Sequence, residues 1–336
     1  MLQGYYQMSI ICFGVRDYEI PVFKRIEREY KCELELSQLY INDTNYHIAI
    51  GFETIVLRAN CFLSENSLEE LKENGLKYLL TRTVGYNHIP LDACHKMGIK
   101  VAYAPGYSPS SIAELGVALS LSIIRNLPEA TMNATQYDFR LNSFMFGREI
   151  RECVVGILGC GIIGKETARL YSSMGAKVYG YDLVQDEHML DIVEYCSFDK
   201  ICKEADIISI HMSYDERYNK HFISKNEINK MKDNVVIINT ARGPILDTEA
   251  LIDAIESGKV LGAGLDVIEY EKDTYFKNWN QDSIHPTIKR LVDLYPRVII
   301  TPHISSSTDS AVYDSMRITM ENLYQLSHNI ECKNVL

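Results

Sequence analysis

Three residues late in the chain are of types that together handle a carbonyl group beside a carboxylate. Arg242 follows the apolar run in "NVVIINTARGPILDT", Glu271 ends "LGAGLDVIEYE", and His303 closes "RVIITPHIS". Each comes after a strand-like segment, and open α/β sheets bind ligands at the carboxyl ends of their strands. A guanidinium fork can hold a planar carboxylate and polarise the carbonyl next to it. An imidazole can give a proton to the carbonyl oxygen as hydride arrives, or take it back in the oxidative direction. An acid on the other ring nitrogen orients the imidazole and favours its protonated form. Taken singly, Arg242 reads as a surface charge, His303 as a loop histidine and Glu271 as a solvated acid in the run Glu269–Asp273. Taken together after a nucleotide motif, they suit hydride chemistry on a 2-oxo acid.

That motif is "VVGILGCGIIGKETARL", with Gly159, Gly161 and Gly164 spaced G-x-G-x-x-G between a strand-like run and a helix. The first glycine permits a tight turn, the second lets backbone approach a pyrophosphate, and the third lets helix and strand pack closely. The helix N-terminus adds N–H groups and dipole. The next strand-like run, "KVYGYD", ends in Asp182, an acid placed to accept from a ribose 2′-hydroxyl and to repel a 2′-phosphate, which favours NAD over NADP. The competing reading is a glycine-rich turn with no nucleotide and a surface Asp182. Sugar epimerases and NAD-sensing regulators share such folds, so the motif alone does not fix the chemistry.

The elements that must position these residues alternate along the chain. Apolar runs occur at Ser9–Phe13, Lys77–Leu80, Lys100–Tyr103, Val154–Leu158, Lys177–Tyr181, Ile207–Ile210, Val235–Ile238 and Val298–Ile300, with helical stretches such as Leu68–Glu73, Ile162–Met174 and Glu249–Ser257 between them. This predicts an α/β protein built of parallel βαβ units in doubly wound sheets. "APGYSPSS" reads as a hinge before a long apolar helix, Ile112 to Arg125, and a final amphipathic helix follows "ITPHISSSTD".

The 336 residues suffice for two domains, and 46% apolar with 24% charged residues argues against disorder. A net charge of −11 predicts no nucleic-acid partner and no anionic membrane surface. No apolar run approaches a membrane span, and "MLQGYYQMSIICFGV" reads as lacking a leader. The nine cysteines are irregularly spaced without C-x-x-C, which predicts reduced thiols in a cytoplasmic protein and no metal site.

These motifs resemble those of the NAD-dependent D-isomer-specific 2-hydroxyacid dehydrogenases over nearly the whole chain. "TRTVGYNHI", "APGYSPSSIAEL", "GCGIIG", "NTARGPILDTEAL", "GKVLGAGLDVIEYE" and "VIITPHIS" follow in that family's order. The resemblance implies that Arg242, Glu271 and His303 are catalytic and that Glu269 is not. It implies that the backbone amides of Val84 and Gly85 hold the substrate carboxylate and that Tyr107 lies over the substrate. Ile162 and Ile163 would line the dinucleotide turn, Met212, Ser213 and Asn219 would flank the cofactor, and Thr240, Ala241 and Asp266 would contact the nicotinamide side. For Ile163 and Met212, plain core packing stays open. A flavodoxin-like substrate domain over 1–107 plus 305–336, a Rossmann NAD domain over 108–304 carrying the dimer helix, a homodimer, and domain closure are implied as well.

Two departures bear on the substrate. Ser305, Ser306 and Ser307 follow His303 where many family members have aromatic residues, which suits a longer polar tail. Arg58, in "TIVLRANCF", places a charge at the end of a buried run. "LRANCF", "NSFMFGREIREC" and "LVDLYPRVIITPH" are similar to the family's D-2-hydroxyglutarate dehydrogenases, which implies reduction of 2-oxoglutarate with Arg58 on its second carboxylate. Arg58 can instead pair with an acid of its own fold, or reach water beside Asn60. A D-lactate or broad-specificity D-2-hydroxyacid dehydrogenase, and an NAD-sensing corepressor-like protein, are the alternative functions.

Overall fold

A computed structural model describes residues 8–275, 277–280 and 283–336. Residues 1–7, the first part of the stretch read as lacking a leader, lie outside the described residues. The chain divides into two compact units, residues 1–108 with 307–336, and residues 109–306.

The first unit is a five-stranded parallel sheet of β1 (Ile10–Cys12), β2 (Leu34–Leu36), β3 (Thr54–Leu57), β4 (Tyr78–Thr81) and β5 (Lys100–Tyr103). Their order is β2-β1-β3-β4-β5, the flavodoxin-like winding. β1, β3 and β4 are buried at every position, as continuous apolar runs covered on both faces must be. One face carries a core of Ile11, Ile55, Leu57, Leu68 and Leu79. The other packs Ile10, Val56, Leu80 and Phe23 against Met316, Met320 and Leu323 of the helix Asp309–Ser327. That helix returns the chain to this unit, and the Tyr103 amide then donates to the Asn334 carbonyl at 3.1 Å.

The second unit is a seven-stranded parallel sheet of β6 (Val154–Leu158), β7 (Lys177–Tyr181), β8 (Glu194–Tyr195), β9 (Ile207–Ile210), β10 (Val235–Asn239), β11 (Val260–Leu265) and β12 (Val298–Ile300). The order β12-β11-β10-β9-β6-β7-β8 reverses between β6 and β9, the topological switch point at which such sheets bind nucleotides. The expectation of two doubly wound parallel sheets is met.

The long apolar helix runs Pro109–Ile124. Its Val117, Leu119, Ile123 and Ile124 are buried in this unit's own core with Val155, Val236 and Ile238, so intramolecular packing accounts for its apolar character. Exposed apolar side chains come later, at Tyr137, Phe139, Leu141 and Phe146. All nine cysteines are free. Among the described residues no helix is long and apolar enough to cross a membrane.

Candidate active site

The glycine-rich turn lies between β6 and the helix Ile162–Ser173, which Gly161 caps. Gly159 has φ +91°, and a Cβ there would lie 2.6 Å from the Met212 amide nitrogen. A Cβ on Gly164 would lie 1.9 Å from the Gly159 carbonyl oxygen, so these two glycines are required by the protein itself. Gly161 differs: a Cβ there would meet nothing within 4 Å. Its missing side chain leaves space above the turn, which is what close approach of a pyrophosphate needs. Ile162 is 64% exposed beside it, while Ile163 is half-buried. Asp182, just past β7, accepts from the Cys160 amide at 2.6 Å and from the Val184 amide at 3.0 Å, which fixes its carboxylate beside the turn. These residues fit a dinucleotide.

Around the switch point, Met212 is half-buried against the core. The Asn219 side chain donates to the Ser213 carbonyl at 2.6 Å, and its amide oxygen accepts from the Asp215 amide at 2.8 Å. Thr240 is buried, and its hydroxyl has no hydrogen-bond partner among the described residues. Beneath them the His211 imidazole faces the Ser209 hydroxyl at 2.8 Å, and burial lowers its pKa to about 4.

Arg242 is presented by a turn that a buried asparagine clamps. Asn239 ends β10, accepts from the Ala241 amide at 3.0 Å and donates to the Arg242 carbonyl at 2.9 Å. Gly243 packs on the next loop so tightly that a Cβ would lie 2.1 Å from the Ile268 carbonyl. The Arg242 guanidinium donates to the Ala241 carbonyl at 2.7 Å, and no carboxylate among the described residues pairs with it. An exposed cation that no carboxylate among the described residues pairs with is available to a ligand.

His303 and Glu271 are brought together. Nδ1 of the imidazole lies 3.6 Å from Oε1 of the carboxylate. That is ion-pair distance, longer than a hydrogen bond, and such contacts commonly tighten only on ligand binding. The second carboxylate oxygen of Glu271 is buried with no partner among the described residues. His303 has φ +54°, a left-handed conformation uncommon outside glycine, and Asp266 holds it there. The Asp266 carbonyl accepts from the His303 amide at 3.0 Å. Its carboxylate accepts from the Thr301 hydroxyl at 2.6 Å and from the Ile304 and Ser305 amides at 2.8 and 2.9 Å. Asp266 is 0% exposed, and through these bonds it shapes the histidine loop. Ser305 is also buried, with its carbonyl accepting from Ser111, so only Ser306 and Ser307 of the three serines offer free surface.

In the first unit, Arg58 has a protein partner, the outcome in which it pairs with an acid of its own fold. Glu19, 2% exposed, is held bidentately by Arg82: Nη1 reaches Oε1 at 3.1 Å and Nη2 reaches Oε2 at 3.0 Å. Arg58 adds only its Nη1, at 3.2 and 3.3 Å. The Gly14 carbonyl accepts from both arginines, at 3.4 and 3.1 Å. Two guanidinium charges against one carboxylate leave one positive charge in excess. It lies at the C-terminal ends of the adjacent strands β1, β3 and β4. Burial disfavours the Glu19 charge, but the bonds from Arg82, Arg58 and the Arg16 amide outweigh it and hold the pKa below the usual carboxylate range. Burial and the Arg82 charge lower the Arg58 pKa. Nε and Nη2 of Arg58 donate to no described residue, and its side chain is 21% exposed. On the loop after β4, the amides of Val84 and Gly85 donate to no described residue either, while Thr83 fixes the turn by donating to the Gly85 carbonyl at 2.7 Å. Tyr107 is half-buried in the segment after β5. Glu19 and Arg82 were not apparent in the sequence, because only the fold brings them to Arg58.

A family model described as the D-isomer specific 2-hydroxyacid dehydrogenase, NAD binding domain, matches residues 117–305. The chain belongs to the D-isomer specific 2-hydroxyacid dehydrogenases. An aromatic 2-oxoacid reductase of Clostridium sporogenes is 39% identical over 330 residues, covering 97% of this chain and 98% of that one. A D-2-hydroxyacid dehydrogenase (NAD(+)) of Clostridioides difficile is 33% identical over 322 residues, covering 94% and 96%. The crystal structure of D-lactate dehydrogenase with NAD+ from Lactobacillus jensenii superposes with a TM-score of 0.90 at 31% identity, covering 98% of this chain and 99% of that one. This member of the family is therefore an NAD-dependent oxidoreductase acting on 2-oxo acids, and the corepressor-like alternative falls away. The narrower likeness to 2-hydroxyglutarate dehydrogenases is not what these relatives show: their names point to aromatic 2-oxo acids and lactate.

Proposed function

We propose that this dehydrogenase reduces 2-oxoglutarate to (R)-2-hydroxyglutarate. The observation that carries the reading is the excess positive charge of the Arg58–Glu19–Arg82 trio, with two Arg58 nitrogens that donate to no described residue. A guanidinium edge of this kind matches a carboxylate in geometry and charge. Arg242 is suited to hold the carboxylate beside the reacting carbonyl, and the amides of Val84 and Gly85, which donate to no described residue, are suited to a carboxylate as well. His303 holds the proton that passes to the carbonyl oxygen, and Glu271 orients its ring from Nδ1. NADH, when bound, would supply the hydride. Gly159, Gly161, Ile162, Ile163, Gly164 and Asp182 would hold the dinucleotide, Met212, Ser213 and Asn219 would flank it, and Thr240, Ala241 and Asp266 would stand on its nicotinamide side.

A second reading, reduction of an aromatic 2-oxo acid, is favoured by the 39% identity to the C. sporogenes reductases. An aromatic tail gives Arg58 no anion, and a site built to pair a group discriminates strongly against ligands that leave it unpaired. The test is kcat/KM with NADH for 2-oxoglutarate, phenylpyruvate and pyruvate. The expected order puts 2-oxoglutarate first by at least about tenfold, the lower end of what a charge-assisted pair contributes. Phenylpyruvate first would replace this reading with the second.

A further inference from the structure

We infer that His221, clamped to Glu269, is a positioning residue for the reaction, setting the loop that carries Arg242 against the loop that carries Glu271. Three segments meet at this histidine. Its backbone joins the first two: the His221 amide donates to the Pro244 carbonyl at 2.7 Å, the Ile223 amide to Ile245 at 3.0 Å, and the Asp247 amide back to Ile223 at 3.0 Å. The strip 221–223 is thus laced along the chain just after Arg242. The side chain joins the third. Its Nε2 donates to Oε1 of Glu269 at 2.8 Å, two residues before Glu271. The other Glu269 oxygen accepts from the Thr248 amide at 3.0 Å, which closes the ring of contacts on the Arg242 side. Asp247 lies 3.9 Å from Nδ1, so among the described residues two acids face this imidazole.

The backbone is committed to this arrangement. His221 has φ +51°, a left-handed conformation that costs on the order of 1 kcal/mol outside glycine and persists where surroundings enforce it. Glu269 is ionised despite its burial, because the bonds from His221 and Thr248 hold its pKa below the usual carboxylate range. Gly243 removes the last obstacle, allowing the Arg242 turn to touch the Ile268–Glu269 backbone directly. The two loops therefore share one hydrogen-bonded joint, and the catalytic side chains project from either side of it. Glu269, which matches no catalytic position, acquires a role through this joint.

The inference rests on the assignment of Arg242, Glu271 and His303 as the reacting groups. A displacement of catalytic groups of about 1 Å can cost on the order of a hundredfold in rate. In full-length enzyme, His221→Leu is expected to lower kcat about ten- to a hundredfold and to raise KM for the 2-oxo acid, with KM for NADH unchanged. His221→Gln, which keeps a donor near the Nε2 position, is expected to recover most of both parameters. Glu269→Gln approaches the joint from its other side and should resemble the leucine variant in KM, even if His221→Leu fails to fold. If kcat falls only in proportion to the fraction of folded protein and no KM moves, His221 is merely structural and the inference is overturned. Unchanged kinetics in all three variants overturns it as well. Arg242→Ala and His303→Ala, assayed alongside, separate the two failures: if they retain activity, the site assignment itself is wrong.

Discussion

The Glu19 trio predicts that two arginines on one carboxylate respond to truncation in opposite ways. Arg82 has a side chain 4% exposed and commits both terminal nitrogens to Glu19 and Gly14. Arg82→Ala removes the main counter-charge of a buried acid, and breaking a buried pair in this way costs roughly 3–5 kcal/mol. For a protein of this size, that corresponds to a fall in Tm of roughly 4–7 °C. Arg58 is 21% exposed and gives Glu19 one nitrogen at 3.2 Å. After Arg58→Ala, Glu19 keeps Arg82 and the Arg16 amide, so the cost to stability is at most about 1 kcal/mol. The loss appears instead in binding. A charge-assisted interaction with a ligand carboxylate contributes roughly 1.5–3 kcal/mol. At about 1.4 kcal/mol per factor of ten, kcat/KM for 2-oxoglutarate should fall roughly 10- to 150-fold while that for pyruvate stays within about twofold. Thermal scans and steady-state NADH oxidation on both variants decide the matter. If Arg58→Ala melts as early as Arg82→Ala, or if both substrates lose activity equally, Arg58 is a structural residue and the second-carboxylate reading fails.

The nucleotide turn allows a separation of packing from ligand approach. Gly161→Ala should leave Tm unchanged yet raise KM for NADH, whereas Gly164→Ala, driven against the Gly159 carbonyl, should lower Tm and cofactor affinity together; a normal KM for NADH in a well-folded Gly161→Ala protein would remove the cradle assignment. His211 links stability to acid. Its folded pKa of about 4 lies below the ordinary value near 6.5, so the unfolded chain takes up the proton first. Stability from the neutral ring is complete above about pH 6.5 and is lost as pH falls towards 4, by on the order of 3 kcal/mol in all. Denaturant titrations across that window should show wild type losing this increment relative to His211→Gln, and parallel curves would show that the ring is not buried neutral.

What the sequence made legible follows from the range of the interactions involved. Interior strands such as β6 and β9 announced themselves because burial on both faces demands consecutive apolar residues. The edge strands β2 and β8 did not: each is paired on one side only, and "LEL" and "EY" carry no such run. β11, "VLGAGL", reads poorly as a strand because glycine is disfavoured in sheets. Tertiary packing overrides that preference, since a Cβ on Gly264 would lie 2.7 Å from Leu119 Cβ of the long helix. Motif residues with fixed local offsets, Gly159, Gly161 and Gly164, could be assigned from spacing alone. Position in the motif marked Asp266 for the nicotinamide side, whereas its buried carboxylate accepts from Thr301, Ile304 and Ser305 of the His303 loop, contacts no spacing encodes.

The residues that escaped sequence reasoning share one property: their significance depends on a partner distant in the chain. Glu19 becomes meaningful only when β1, β3 and β4 lie side by side and bring Arg58 and Arg82 to it. His221 and Glu269 become meaningful only when the loops after β9, β10 and β11 converge. In both places one buried carboxylate organises cations or donors from separate strand ends. At Glu19 the cations exceed the anion and leave charge for a ligand. At Glu269 each carboxylate oxygen accepts from one donor, His221 or the Thr248 amide, and the result is a joint. That difference in local charge balance is why we propose substrate recognition for the first cluster and positioning for the second, although in sequence both look like ordinary acids beside ordinary loops.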